Sequence, residues 1–302
     1  MTACIRCYNK KSALLSYISA FLILVLLCHS REVSEGVYSG ALFAVKCLVP
    51  TLFPFFIISD MILSFGLPFD NFLKKRGLYV IIIGLICGFP HGARCATKLF
   101  RDGSIGTHEY ETLLILSNCP SIAFVVSGIG SGMLGSSTYG LILFIALILS
   151  VIILSFIRRP GDVALVKSLD IQSGSFNLVE SIKSAGASSL TVASFIIFFY
   201  GINALISHFL NGGFLSRIVA ILLEIGTGSA SIASDASLPL IQKMTLLGFT
   251  VGFSSLSVFM QCSAFISEEI KRKKLLTFKL VQGVLCALFA FLLTFIYEKW
   301  LF

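Results

Sequence analysis

Apolar residues in this chain come in long continuous runs separated by short polar segments, with no strand-like alternation. The runs cover residues 13–28, about 38–66, 78–90, 113–134, 136–157, 188–210, 214–224, 244–266 and 275–297. A helix that crosses a bilayer needs roughly 20 mostly apolar residues. Of the runs after the first, two are too short to span, Leu78 to Pro90 and Phe214 to Glu224. Each leads into a Gly-rich break, Gly88-Phe89-Pro90-His91-Gly92-Ala93 in the first case and Gly226-Thr227-Gly228-Ser229-Ala230-Ser231 in the second. Helices stop at such places. The pattern predicts an all-α polytopic membrane protein with about seven spanning helices and two re-entrant helical hairpins.

Loop charge fixes the order of crossings, because loops rich in Lys and Arg face the cytoplasm. The rich segments are Arg6 to Lys11, Lys74 to Arg76, Arg94 to Arg101, Arg158 to Lys167 and Lys271 to Lys274; the poor ones are Arg31 to Val37 and Asn211 to Arg217. Arg76 and Arg158 share a side only if one of the three apolar pieces between them fails to cross. The short piece from Leu78 to Phe100 is then a hairpin that enters and returns. The expected organisation is a cytoplasmic N-terminus with a leading transmembrane helix (1–37) and a first repeat of helix, hairpin and two helices (38–157). A cytoplasmic linker (158–187) and a second repeat of opposite orientation (188–302) complete it. Two short echoes agree with an inverted repeat: Val49 to Phe56 aligns with Val192 to Phe199, and Leu113 to Ser121 with Leu246 to Ser254.

Composition narrows the function. With 56% hydrophobic and 13% charged residues among 302, and a mean hydropathy of +0.95, the chain has no soluble domain of ordinary size. The formal charge of +8 sits in short loops and reads as a topology signal, so no nucleic-acid partner is expected. The nine cysteines are scattered through apolar runs and read as buried thiols. Cys4 and Cys7 form a lone C-x-x-C with no second pair to complete a metal site. The first run follows Lys10 and Lys11 as a signal peptide would, but no small-x-small cleavage site follows it, so a retained helix is expected. No Walker A loop, HExxH pair or nucleophile motif is present. The chain therefore reads as a non-enzyme without cofactor, metal or catalytic residues, whose partners are the bilayer and a small solute; a homo-oligomer is compatible with this.

Non-helical backbone at membrane depth must be buried in protein or line an aqueous cavity, so the two hairpin tips are the expected substrate site. The first tip contributes Gly88, Pro90, His91, Gly92 and Arg94, and the second Gly226, Gly228 and Ser229. Glycine admits a ligand close to the backbone, and half-helix N-termini favour anions. His91 reads as a ligand or proton carrier. Arg94 reads as an anion contact or as the start of the cytoplasmic return. Asn118 and Ser121, in a run interrupted by Pro120, and Ser254 and Ser255 in the corresponding stretch either line a solute path or pack helices, as Gly128, Gly130 and Gly132 do. Asp60 and Glu224 are the acidic groups deepest in apolar sequence and, with Gln261, are candidates for a coupling proton or cation.

The segments Pro50 to Phe56, Gly88 to Arg94, Leu113 to Ser121 and Phe253 to Gln261 together resemble the YlbJ-type sporulation integral membrane proteins of the nucleoside-recognition, or Gate-domain, superfamily. The resemblance covers nearly everything from about Tyr38 onward. It implies a membrane transporter in the mother-cell-derived membrane around the forespore, with dipicolinate, a small aromatic dianion, as its solute. The wider superfamily implies nucleoside or cation transport as the alternative, and a non-transporting assembly factor for spore formation is a third reading. Phe89 and His91 depart from the family's usual Gly-Tyr-Pro-aliphatic-Gly pattern, and Ser117-Asn118-Cys119-Pro120 from its Asn-Asn-Ser-Gly-Pro-like run.

Overall fold

The computed structural model describes residues 10–65, 76–158, 176–268 and 270–301. They form helices only, with no strand among them. Cys4, Cys7 and most of the Lys74–Arg76 and Arg158–Lys167 segments lie outside the described residues.

Helix α1 (Lys10–Cys28) turns by 87° at His29 into α2 (Ser30–Phe43), so the two form a bent pair. Arg31 to Val37, expected as a loop, is the start of α2; a four-residue helical repeat of Arg31 and Glu35, paired at 3.1 Å, carries these polar residues on a helix. A π-wound turn (Ala44–Leu48) joins α2 to α3 (Val49–Phe65), which accommodates Pro54 in its interior. The first hairpin is α4 (Arg76–Cys87) and α5 (His91–Arg101). Arg94 to Arg101 is therefore helix, where a charged loop was expected. Next come α6 (Thr107–Ser117), the irregular Asn118 to Ser121, the π-wound α7 (Ala123–Met133) and the straight α8 (Ser137–Ile157).

Beyond residue 176 the element order recurs. A long α9 (Leu178–Phe209) precedes a hairpin of α10 (Phe214–Leu223) and α11 (Ile225–Ala233). An interrupted helix, α12 (Leu240–Phe253) and α13 (Ser255–Ser263), follows, and α14 (Arg272–Leu301) closes the chain. Helix α9 starts at Leu178 where Ser188 was expected, because Asn177 caps it: the Asn177 side chain accepts from the amides of Val179 and Glu180 at 3.1 and 3.2 Å. Among the described residues, α8, α9, the α12–α13 pair and α14 are long and apolar enough to cross a bilayer, or five spans if α1 and α2 count as one. The sequence runs 38–66 and 113–134, expected as simple spans, are instead divided by the π turn and by the break at Asn118.

Small residues set the helix contacts. A methyl group on Gly36 would approach Ala204 Cβ to 2.6 Å, and one on Gly40 would approach Tyr200 Cβ to 2.8 Å, which locks α2 against α9. Gly248 and Gly252 bring α12 onto α14 in the same way, within 2.7 Å of Ala290 and 2.6 Å of the Gln282 carbonyl. Of the three glycines expected to pack helices in α7, Gly130 does so, at 2.6 Å from Gly140 of α8. Gly128 instead faces the central cavity.

Candidate functional site

Each hairpin tip is wedged against its surroundings by backbone contacts that tolerate no side chain. At the first, Gly88 has φ 81°, and any Cβ there would lie 2.8 Å from the Ser121 amide. Gly84 and Gly92, on either side of the tip, both abut the Ser117 carbonyl, so the tip grips the end of α6 where that helix stops. At the second, Gly228 lies against Ile221 across the turn, and Gly226 sits between the Glu224 carboxylate and the Tyr200 hydroxyl. The second interrupted helix breaks at Ser254 and Ser255, both buried and both at φ 67°. Two consecutive non-glycine residues in the left-handed region cost of order 1–2 kcal/mol each, so packing on all sides must hold them there.

Between the two tips lies a cavity of about 320 Å³. Cys87, Gly88 and Phe89 of the first tip, Ser121 and Ser127, and Glu224 and Ile225 of the second line it, with Gln261 of α13. Phe43, Phe55, Phe89 and Phe124 form much of its wall. The size is within the range of small-molecule pockets, about 300–1,000 Å³, and the composition is the usual one of apolar walls with a few polar points.

Of the residues expected at the substrate site, Gly88 and Ser121 line this cavity, and with them two of the coupling-ion candidates, Glu224 and Gln261. The others are packed nearby. His91 is fully buried and stacks on Phe56 with ring centroids 4.0 Å apart. Pro90 precedes α5, Gly92 faces Ser117, and Ser229 is buried within α11. Asn118 is buried behind the cavity, its side-chain oxygen accepting from the Cys262 thiol at 2.9 Å.

Arg94 and Asp60 do not reach the cavity. They pair with each other, Arg94 Nη2 to Asp60 Oδ2 at 2.9 Å, and Arg94 also donates to Ser184 at 2.8 Å while Ser181 donates to Asp60 at 3.0 Å. Phe56 lies under the guanidinium, 5.1 Å from its Cζ. This cluster belongs to a separate polar vestibule of about 500 Å³, which also includes Thr97, Lys98, Arg101, Asp102 and Glu180. Arg94, expected as an anion contact or as the start of the returning limb, stands on that limb and does not line the central cavity. It is the fourth residue of α5, and a carboxylate from α3 meets it there.

Glu224 has a defined role in the fold. It ends α10 in an extended conformation and caps α11, its carboxylate accepting from the Thr227 amide at 2.7 Å. Thr227 is held in turn by Asn203 of α9 at 2.8 Å.

A second buried polar network was missed by the sequence reading. Lys279 of α14 is 5% exposed, and its ammonium donates to the Asn118 carbonyl and, at 2.7 Å, to Gln282 Oε1. Gln282 donates to Cys119 Sγ at 3.4 Å. A cation is favourable at the C-terminal end of α6, where the break frees carbonyl groups. The signal was available: Lys279 is a lone charge inside the 275–297 run, as Asp60 and Glu224 are in theirs.

No family model matches the chain, and no solved structure matches it. Among curated proteins it is similar to the sporulation integral membrane protein YlbJ of Bacillus subtilis (strain 168), with 24% identity over 90% of this chain and 80% of that one. The chain is thus similar, over most of its length, to a sporulation integral membrane protein. The match covers nine-tenths of the chain and so is not confined to any one segment.

Proposed function

We propose that this chain is a YlbJ-type transporter of a small aromatic solute, with dipicolinate as the first choice, acting during spore formation in the mother-cell-derived membrane around the forespore. The observation that carries the proposal is the phenylalanine-walled cavity bounded by both hairpin tips and by the first helix break. Supporting it is the recurrence of helix, hairpin, interrupted helix and helix on either side of residue 176. The aligned echoes Leu113–Ser121 and Leu246–Ser254 end at the two helix breaks, which agrees with an inverted repeat of Gate type and a cytoplasmic N-terminus. In this reading the broken helices meet at the midplane and the polar Arg94 vestibule is the cytoplasmic mouth.

Among the described residues, the cavity wall holds no Lys or Arg and one carboxylate, Glu224. A dianion therefore enters with its charge compensated, by protons or by a metal cation that its convergent nitrogen and two carboxylates chelate. The same lining favours a second reading, a neutral nucleoside, whose base would stack on phenylalanine and bond to Gln261 and Glu224.

Uptake into proteoliposomes, with dipicolinate alone, dipicolinate with calcium, uridine and adenosine side by side, tests both. Dipicolinate uptake that is lost in a Ser121→Trp variant, which fills the cavity, is the expected result. Uptake of none of these solutes, with the protein correctly inserted, refutes the transport reading and leaves the assembly-factor role.

A further inference from the structure

At the end of α9 remote from the Arg94 vestibule, three side chains converge that the transport reading does not use. His29 occupies the turn between α1 and α2, Glu32 lies in the first turn of α2, and His208 lies in the last turn of α9. His29 Nδ1 is 4.0 Å from Glu32 Oε2, and His208 Nδ1 is 3.8 Å from Glu32 Oε1. All three donor atoms fall within 4.8 Å of one another. Hydrogen bonds require about 2.7–3.2 Å, so the groups do not satisfy each other directly. An ion between them would. Zinc lies about 2.0–2.2 Å from imidazole nitrogen or carboxylate oxygen, which allows two of its ligands to stand up to about 4.2 Å apart.

The surroundings hold this geometry. Phe209 packs edge-on against the His29 ring at 4.7 Å and the His208 ring at 5.9 Å. Glu32 and His208 are presented by α2 and α9, the pair locked together through Gly36 and Gly40, so only His29 depends on the turn itself. Side-chain exposures of 27% for His29, 30% for Glu32 and 48% for His208 leave a path for a hydrated ion.

We propose that His29, Glu32 and His208 form a three-ligand site for a divalent transition-metal ion of the zinc class, with a fourth position open to water. Two imidazoles and one carboxylate suit zinc and its borderline neighbours; calcium and magnesium take oxygen shells. Occupancy ties the 87° bend of the leading segment to the end of α9. The site lies about 36 Å along α9 from Ser184, judged from 24 residues of helical rise, and is separate from the vestibule.

The test uses the full chain in detergent, in a Cys4→Ser, Cys7→Ser background so that the N-terminal thiol pair contributes nothing. Zinc is titrated by calorimetry and cobalt by its visible absorption. The expected result is one ion per chain, a tetrahedral cobalt spectrum without thiolate charge transfer, and affinity lowered at least about tenfold by His208→Ala or His29→Ala. Zinc raises the Tm of the parent and leaves that of the His29→Ala, His208→Ala double variant unchanged, while calcium and magnesium move neither. Absence of stoichiometric zinc binding by the parent, or equal affinity in parent and double variant when both are monodisperse, overturns the site.

Discussion

The Asp60–Arg94 pair offers a quantitative test of how the first hairpin is held. At 2.9 Å and an effective dielectric near 20, the attraction is about 6 kcal/mol gross. Desolvation of both charges offsets much of that. Removing one partner of a fully buried pair costs about 3–5 kcal/mol. These side chains keep 16% and 14% exposure in the polar vestibule, which lowers the figure to about 2–3 kcal/mol. Asp60→Asn and Arg94→Gln should therefore each lower the Tm in detergent by about 5 °C, at roughly 2 °C per kcal/mol for a chain of this size. The double variant should lie close to either single one, because the second substitution removes a charge already without its partner. Additive single effects would refute the pairing. A second readout concerns function: since Arg94 is committed to Asp60 and lies outside the central cavity, dipicolinate affinity should survive Arg94→Gln, and its abolition there, with Asp60→Asn unaffected, would return Arg94 to the substrate.

Further expectations concern packing and charge elsewhere. Gly84→Ala should prevent stable folding, because its Cβ would lie 2.0 Å from the Ser117 carbonyl, whereas Gly186→Ala, in open space on α9, should be neutral or slightly stabilising; similar expression and Tm for the two would contradict the tip geometry. Lys279→Met leaves the Asn118 carbonyl and Gln282 without their donor, and a loss of about 2 kcal/mol, read as a lower Tm, is expected. Hydrogen bonds from the Ser237 hydroxyl and amide, with help from Arg217, hold the Asp235 carboxyl below the usual carboxylate range. Its contribution to stability is present above the unfolded value of about pH 3.9 and is lost as the pH falls through the lower folded value, so Asp235→Asn should flatten the acid limb of the Tm-against-pH curve and leave the pH dependence near neutral unchanged.

Much of the architecture was legible because glycine and proline punctuate apolar runs with little ambiguity. The break at Gly88–Pro90 falls where the first short run ends, while the second comes at Glu224 and the Gly-rich stretch Gly226 to Ser231, expected as the break, is wound into α11. The break at Ser254 was harder to see. Nothing in Gly252-Phe253-Ser254-Ser255 forces a left-handed pair; the surrounding packing does. Ion-pair partners were also hidden, since Asp60 and Arg94 are distant in sequence and only the fold of α3 against the returning limb of the hairpin joins them. Arg31 to Val37 looked like a loop because Arg31, Ser34 and Glu35 are exposed and the contact with α9 rests on Gly36, Gly40 and only two valines, Val33 and Val37.

The capping role of Glu224 has a bearing on selectivity. The first free amides of α11 already hold a carboxylate, delivered by the residue immediately before the helix, at the edge of the central cavity. In the proposed transport reading Glu224 acts as a tethered pseudo-substrate: a negatively charged guest would meet an occupant attached to the wall at very high local concentration. Guests that arrive neutralised have no such rival, and a side chain that swings aside exposes the amides it guarded. Glu224→Gln should thus widen the range of charge states the chamber accepts, even where it weakens the cap.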